Sequence, residues 1–250
     1  MHAKDIIRDA VARVEQLRTT AGNTPQLAQA VSEIKAFQAR RFNGTYFDLL
    51  QTRQYKPATL FFLEELYSEK DYSDRDAQFS RIAGTLERLF PKQVVQTAVI
   101  LAQLHSLTEE LDLAMAQSWL TNGKLNGEPN AVKRYIATWR AVGRQQDRMA
   151  QLNGALNVGQ ELVILTRTPG LRMALKMMRR PANLAGMGAL QHFLESGFDT
   201  FAAMGKEADG TDFFLNTVKE RESALIDQLF DDSTAVCEAN MTQVLAKNSK

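Results

Sequence analysis

The residues of this chain with an evident chemical use are histidines and carboxylates at helical spacing. His105 and Glu109 stand at i, i+4, and His192 and Glu195 at i, i+3, so each pair shares one helix and offers a metal two ligands. Glu64 or Glu65 would add a carboxylate, because helical di-metal sites project Glu and His inward from facing helices. The Glu-x-x-His order of such sites is absent from both pairs. His192 also falls about 160° from Leu194 on the helical wheel, on the outer face. For haem, His105 is the one histidine placed inward, since His2 is terminal and no C-x-x-C-H sequence occurs. The plainer role for His105 is a boundary histidine hydrogen-bonded to Asp112 or to a main-chain carbonyl. Asp112 lies on the same edge of its helix, and Glu109 is rotated outward.

A second polar group sits in the densest apolar run, ATLFFLEELYSEKDYSDRDAQFSRI from Ala58 to Ile82. Glu64 and Glu65 interrupt a segment apolar on more than one side, and a buried carboxylate is costly unless paired or protonated. Ser73-Asp74-Arg75-Asp76 reads as a capping box that opens the next helix. Arg75 lies within about 20° of Ile82 on that helix, so it points coreward. An inward arginine just after two inward glutamates predicts an ion pair of Arg75 with Glu64 or Glu65. That pair either locks the turn or marks a polar site in a helical core, with Asp76, His105 and Asp112 around it.

Arg172, Lys176 and Arg179, at i, i+4, i+7, form one charged face, to which Arg180 adds, while Leu171, Leu175 and Met178 pack behind. A basic amphipathic helix docks phosphates, acidic lipid surfaces or an acidic protein. Without aromatic interleaving or a helix-turn-helix glycine pattern, the segment is a poor candidate for nucleic acid. Net charge is +1, yet residues 131–181 hold ten Lys/Arg against Asp147 and Glu161, and residues 195–232 hold ten Asp/Glu against Lys206, Lys219 and Arg221. Two such segments either face one another, the favoured reading, or attract an anionic partner.

Nucleophilic and nucleotide chemistry find no support: G-x-S-x-G, Walker and G-x-G-x-x-G sequences are all absent. The single Cys237 excludes an internal disulfide framework and fits a reducing compartment. The start of the chain, MHAKDIIRDAVARVEQL, is amphipathic with acidic residues and does not read as a secretory signal, and no apolar run reaches membrane-spanning length. The expected location is the cytoplasm.

The elements that must position these residues are helices. Only 14 Gly and 6 Pro in 250 residues leave few breakers, and no strand-like alternation persists. The spacing predicts an all-α fold: a single compact multi-helix domain of about ten helices, with a weak sub-boundary in the 122–129 loop (NGKLNGEP). Thr24-Pro25 should open a helix that Asn43-Gly44 breaks near Phe42, and Gln93–Thr121 should be the longest helix. Helices over 131–142 and 144–167 meet at a bend near Gly143, Pro181 closes the basic helix, and helices over 93–121, 144–167 and 184–204 enclose a central pair, the two helices around Glu64–Asp76.

FFLEELY, followed by D-x-x-x-R-D-A-Q-F-x-R-I, RLFP and LxxLHSLTEELD, resembles a family of uncharacterised proteobacterial all-helical proteins. Further matches in TWRAVGR, RTPGLRMALKMMRRPA and LQHFLESGFDTF extend the resemblance over about residues 35–230. It implies an intact single-domain bacterial protein and transfers no catalytic residue. Together these readings favour a non-catalytic module that binds a protein or small ligand, with an exposed apolar patch or a homo-oligomer seam. The alternatives are a metal- or haem-dependent oxidoreductase centred on His105, and anionic-surface or nucleic-acid docking through residues 172–180.

Overall fold

The computed structural model describes residues 2–66, 70, 72–122, 130–206 and 210–247, and every regular element among them is helical. The first pair is α1 (Ala3–Gly22) and α2 (Pro25–Thr45). Thr24 caps α2 as its sequence predicts: the hydroxyl accepts from the Leu27 amide at 3.2 Å, and Pro25 takes the first turn, where its missing N–H is not needed. Two short helices follow, α3 (Phe47–Leu50) and α4 (Lys56–Phe61), and α4 continues into a π turn over Phe62–Leu66. Next come α5 (Ser73–Leu89) and α6 (Lys92–Asn122), whose 31 residues span about 46 Å at 1.5 Å each. The second half contains α7 (Ala131–Val142), α8 (Gln145–Thr166), α9 (Leu171–Leu184), α10 (Gly188–Met204), α11 (Gly210–Asp231) and α12 (Thr234–Ala246).

The axis of the molecule is α6, which packs against α1, α2, α5, α7 and α8. Apolar residues lie on more than one of its sides, and Leu111, Met115 and Ala116 are wholly enclosed. An aromatic run continues the core beside it. Phe37 stacks on Tyr135 at 4.2 Å, Phe61 lies between Phe193 and Phe201, and Phe62 meets Phe214 edge-on at 5.4 Å.

Several boundaries differ from expectation, each for a local reason. α2 runs through Asn43-Gly44 to Thr45, because Gly44 is a packing contact and not a terminus. A Cβ there would sit 2.1 Å from the Val244 carbonyl oxygen of α12, so only glycine lets the two backbones approach. Tyr72, one residue before Ser73, occupies the cap position of α5. α9 passes through Pro181 to Leu184, where the helix is solvent-exposed. α7 and α8 are separate helices: Gly143 and Arg144 both have positive φ, 64° and 62°. For arginine that conformation costs about 1–2 kcal/mol. Ion pairs of Arg144 with Asp147 at 2.6 Å and Glu110 at 2.8 Å hold it there. Around the central pair, α10 packs on both α4 and α5, while α1 takes the covering role on α5 expected of α8. The 123–129 loop, and residues 207–209 of the expected turn after Gly205, lie outside the described residues.

Candidate functional site

Asp76, His105 and Glu109 do converge, and an arginine stands at their centre. α6 presents His105 and Glu109 one turn apart, α5 brings Asp76 in its first turn, and the last turns of α1 deliver Arg18. Arg18 Nη1 lies 2.9 Å from Asp76 Oδ2, and its Nη2 lies 3.2 Å from Glu109 Oε1 and 3.3 Å from His105 Nε2. His105 Nε2 also meets Asp76 Oδ2 at 2.9 Å, and Lys35 Nζ donates to both Glu109 oxygens at 3.0 Å. Burial alone would raise the Asp76 carboxyl. The His105 hydrogen bond, with the charges of His105, Arg18 and Arg75, outweighs it and holds the group below its ordinary value. Glu109 behaves alike: burial opposes ionisation, and Lys35 and then Arg18 more than offset it.

This geometry corrects two expectations. Glu109 is buried, not rotated outward, because α1 and α2 both cover that edge of α6 and bring a cation each. Among the ion pairs of the described residues, Arg75 meets Asp76, its Nε 3.8 Å from Oδ1, in place of Glu64 or Glu65. Its Nη1 donates to the Glu65 main-chain carbonyl at 2.7 Å, and its guanidinium lies over the Tyr72 ring at 4.0 Å and the Phe193 ring at 4.9 Å. Glu64 is exposed and meets Lys70 at 3.2 Å, with Glu65 3.7 Å from the same ammonium. The His105–Glu109 metal reading fits poorly, since arginine and lysine nitrogens hold the lone pairs a metal would need. Among the described residues, no group of three or more His, Cys, Asp or Glu is arranged to hold a metal ion. Nor is there room for haem beside His105, where the adjoining cavity is about 30 Å³.

Asp112 belongs elsewhere. It is enclosed and accepts at 3.0 Å from Nε2 of Gln38, a residue that lines a larger interior. There a cavity of about 120 Å³ lies between α2, α4 with its π turn, α6, α7, α8 and α11. The helical repeat builds its walls: Gln38, Arg41 and Phe42 from α2; Arg148, Gln151, Leu152 and Ala155 from α8; Phe214, Val218, Glu222 and Leu225 from α11. Arg41 Nη1 donates to Glu222 Oε1 at 2.6 Å and Oε2 at 2.7 Å, and the Tyr46 hydroxyl donates to Oε1 at 2.9 Å. Arg41 lies flat on Phe42 at 3.7 Å, and Arg148 on Trp139 at 4.0 Å. Arg148 is thus the cation over Trp139. Burial would lower the Arg41 guanidinium, but the Glu222 charge and hydrogen bond raise it. Burial pushes Tyr46 well up, with Glu222 adding to it, and Tyr135 to about 12. Arg41 Nε and Trp139 Nε1 are fully buried and have no hydrogen-bond partner among the described residues. The remaining lining is mostly apolar.

Sequence reasoning passed over Arg41, Arg148 and Glu222, although a signal existed. Arg41 follows Ile34 by seven residues, Glu222 stands four after Val218 and four before Ile226, and Arg148 precedes Leu152 by four. Each is an ionisable residue that continues an apolar stripe.

The basic face is only partly available. Arg172 pairs with Asp199 at 2.9 Å and Arg179 with Glu195 at 2.7 Å, so basic and acidic segments do meet here. Lys176 and Arg180 are exposed and make no ion pair among the described residues. Met178, expected to pack behind them, is 45% exposed.

A family model with the description Domain of unknown function (DUF8198) matches residues 17–236. Comparison with curated proteins and with solved structures gives no match.

Proposed function

The chain belongs to the DUF8198 family, whose description assigns no activity, and from the geometry we propose that it is a non-catalytic module whose small ligand occupies the cavity between α2, α8 and α11. A ligand-sized cavity whose mostly apolar wall includes the buried polar side chains of Gln38, Arg41 and Glu222 carries this reading. The ligand class is a compact apolar or aromatic body with one carbonyl or carboxylate oxygen. Its size follows from the cavity: an apolar cavity of about 150 Å³ takes benzene. Glu222, itself held by the Tyr46 hydroxyl, fixes Arg41, and Arg148 lies over the Trp139 ring, so the wall is set before a ligand arrives. We read the chain as one domain, because α6–α8 and α2–α12 packing crosses the 123–129 segment, and its setting as cytoplasmic.

The test uses Trp119→Phe protein, which leaves Trp139 as the sole tryptophan, excited selectively over the five tyrosines and titrated with benzoate, benzaldehyde and benzene. Benzoate or benzaldehyde should quench Trp139 saturably and more strongly than benzene. Ala155→Phe, which fills the cavity, should abolish the response while thermal unfolding shows an intact fold. Saturable quenching that survives Ala155→Phe, or no binding by any of the three, would refute the proposal.

A further inference from the structure

α9 is the one long helix among those described with no buried residue. On its wheel Met173, Ala174, Met177, Met178, Pro181 and Leu184 share one broad arc, and all are exposed. Met173, Met177 and Leu184 are 69%, 71% and 84% open to solvent. Only Leu171, Leu175 and Ala182, on the arc facing the body of the protein, are partly covered. Single exposed apolar residues need no explanation, but a contiguous ridge of them on one helix does.

The surroundings of the ridge are cationic. Lys176 and Arg180 border it on the helix itself without an ion pair among the described residues. Arg167, Arg172 and Lys206 line a polar cleft of about 280 Å³ at the start of α9. Arg81 donates to the Gly186 carbonyl just beyond its end. From Arg167 to Leu194 the chain has no acidic residue. We propose that α9 docks this protein on an anionic lipid surface, with its Met/Leu ridge in the headgroup–acyl boundary and Lys176, Arg180, Arg167 and Lys206 against lipid phosphates.

Charge and shape select this occupant. α9 has no acidic residue of its own, and Lys176 and Arg180 at the border of the ridge are paired with none among the described residues, which makes this side of the helix complementary to a negatively charged surface. The ridge is convex and stands out from the body, and a convex apolar ridge inserts into a deformable bilayer, whereas a protein partner would need a matching groove. Unbranched methionine chains adapt to a disordered acyl environment with little loss of freedom. α9 is about 21 Å long, and no helix among the described residues is long and apolar enough to cross a membrane, so it lies in the interface.

Flotation of the full chain with vesicles tests the proposal. Vesicles of phosphatidylcholine alone are compared with vesicles containing about one third phosphatidylglycerol, whose surface attracts roughly one kcal/mol, or fivefold in partitioning, per basic side chain. The wild type should float with the anionic vesicles and remain free with the neutral ones. Lys176→Glu/Arg180→Glu should reduce flotation by at least about 25-fold at fivefold per side chain. Met173→Ser/Met177→Ser/Leu184→Ser should abolish it while unfolding at the wild-type temperature, since these side chains contact little of the core. Failure to float with anionic vesicles, or flotation undiminished by the serine variant, would overturn the proposal. So would a wild-type dimer in light scattering that the serine variant converts to monomer, because a second copy would then cover the ridge.

Discussion

Removing the Glu222 carboxylate is the most informative single perturbation of the interior. The pair is tight, with Arg41 Nη1 at 2.6 and 2.7 Å from the two oxygens, and Arg41 and Glu222 are only 3% and 8% exposed. At an effective dielectric constant near 20, the attraction at such a distance is about 6 kcal/mol. Desolvation of two ions offsets most of it, so the intact pair adds little net stability. Glu222→Ala is different. It keeps the desolvation cost of Arg41 and removes the attraction, which destabilises by about 3–5 kcal/mol. For a chain of this size that lowers the unfolding temperature by about 6–20 °C, at 2–4 °C per kcal/mol. Tyr46 loses its acceptor in the same variant. Replacing all three polar partners, as Arg41→Met/Tyr46→Phe/Glu222→Leu, should bring stability back to within about 1 kcal/mol of wild type or above it, because the variant leaves none of the three without its partner. The assay is urea unfolding followed by circular dichroism. A loss under 1 kcal/mol in Glu222→Ala, or a triple variant less stable than the single one, would refute the reasoning.

Two further outcomes follow from the packing and the charge network. Gly44→Ala places a methyl carbon 2.1 Å from a main-chain oxygen of α12, which cannot swing aside, so α12 should loosen at a cost of about 1–3 kcal/mol. Cys237 on α12 is buried and its thiol is raised by burial, so it should become measurably reactive toward a disulfide reagent only in this variant; an unchanged rate would contradict the contact. Asp76 and Glu109 both ionise more readily folded than unfolded, so their contribution is complete above the ordinary carboxylate range and is lost as pH falls through their lowered values. Stability should decline below about pH 4.5, and Asp76→Asn should flatten that decline in urea titrations; an unchanged slope would discount Asp76. Asp48 and Glu195, lowered by hydrogen bonds from Arg221 and Arg179, should add little because water screens them.

The helices were legible because periodicity is local. Thr24-Pro25 opens α2, α6 is the longest helix, and an all-α fold follows from few breakers and a period of 3.6. What escaped depends on neighbours. Asn43-Gly44 reads as a stop until α12 lies against it, and Glu109 reads as solvated until Arg18 and Lys35 arrive from α1 and α2. Of the residues expected near His105, Asp76 and Glu109 join it, Asp112 belongs to the other interior, and Glu64 faces solvent. Arg41 and Glu222 were each visible as a charge in an apolar stripe, but nothing local says that the two stripes face one another.

The Arg41–Glu222 pair also orders events in time. The two residues are 181 positions apart. A ribosome adding about 5–20 residues per second releases the second roughly 9–36 s after the first. Throughout that interval Arg41 has no counter-charge and must stay hydrated, so the face of α2 that bears it cannot close while the chain is being made. α1, α2 and α6 have their mutual contacts available early, yet the interior between α2 and α11 is completed only after the last fifth of the chain has begun to emerge. Until then Phe42 and Tyr46 remain open to solvent beside Arg41, which makes the nascent chain, rather than the finished protein, the form most exposed to misassociation.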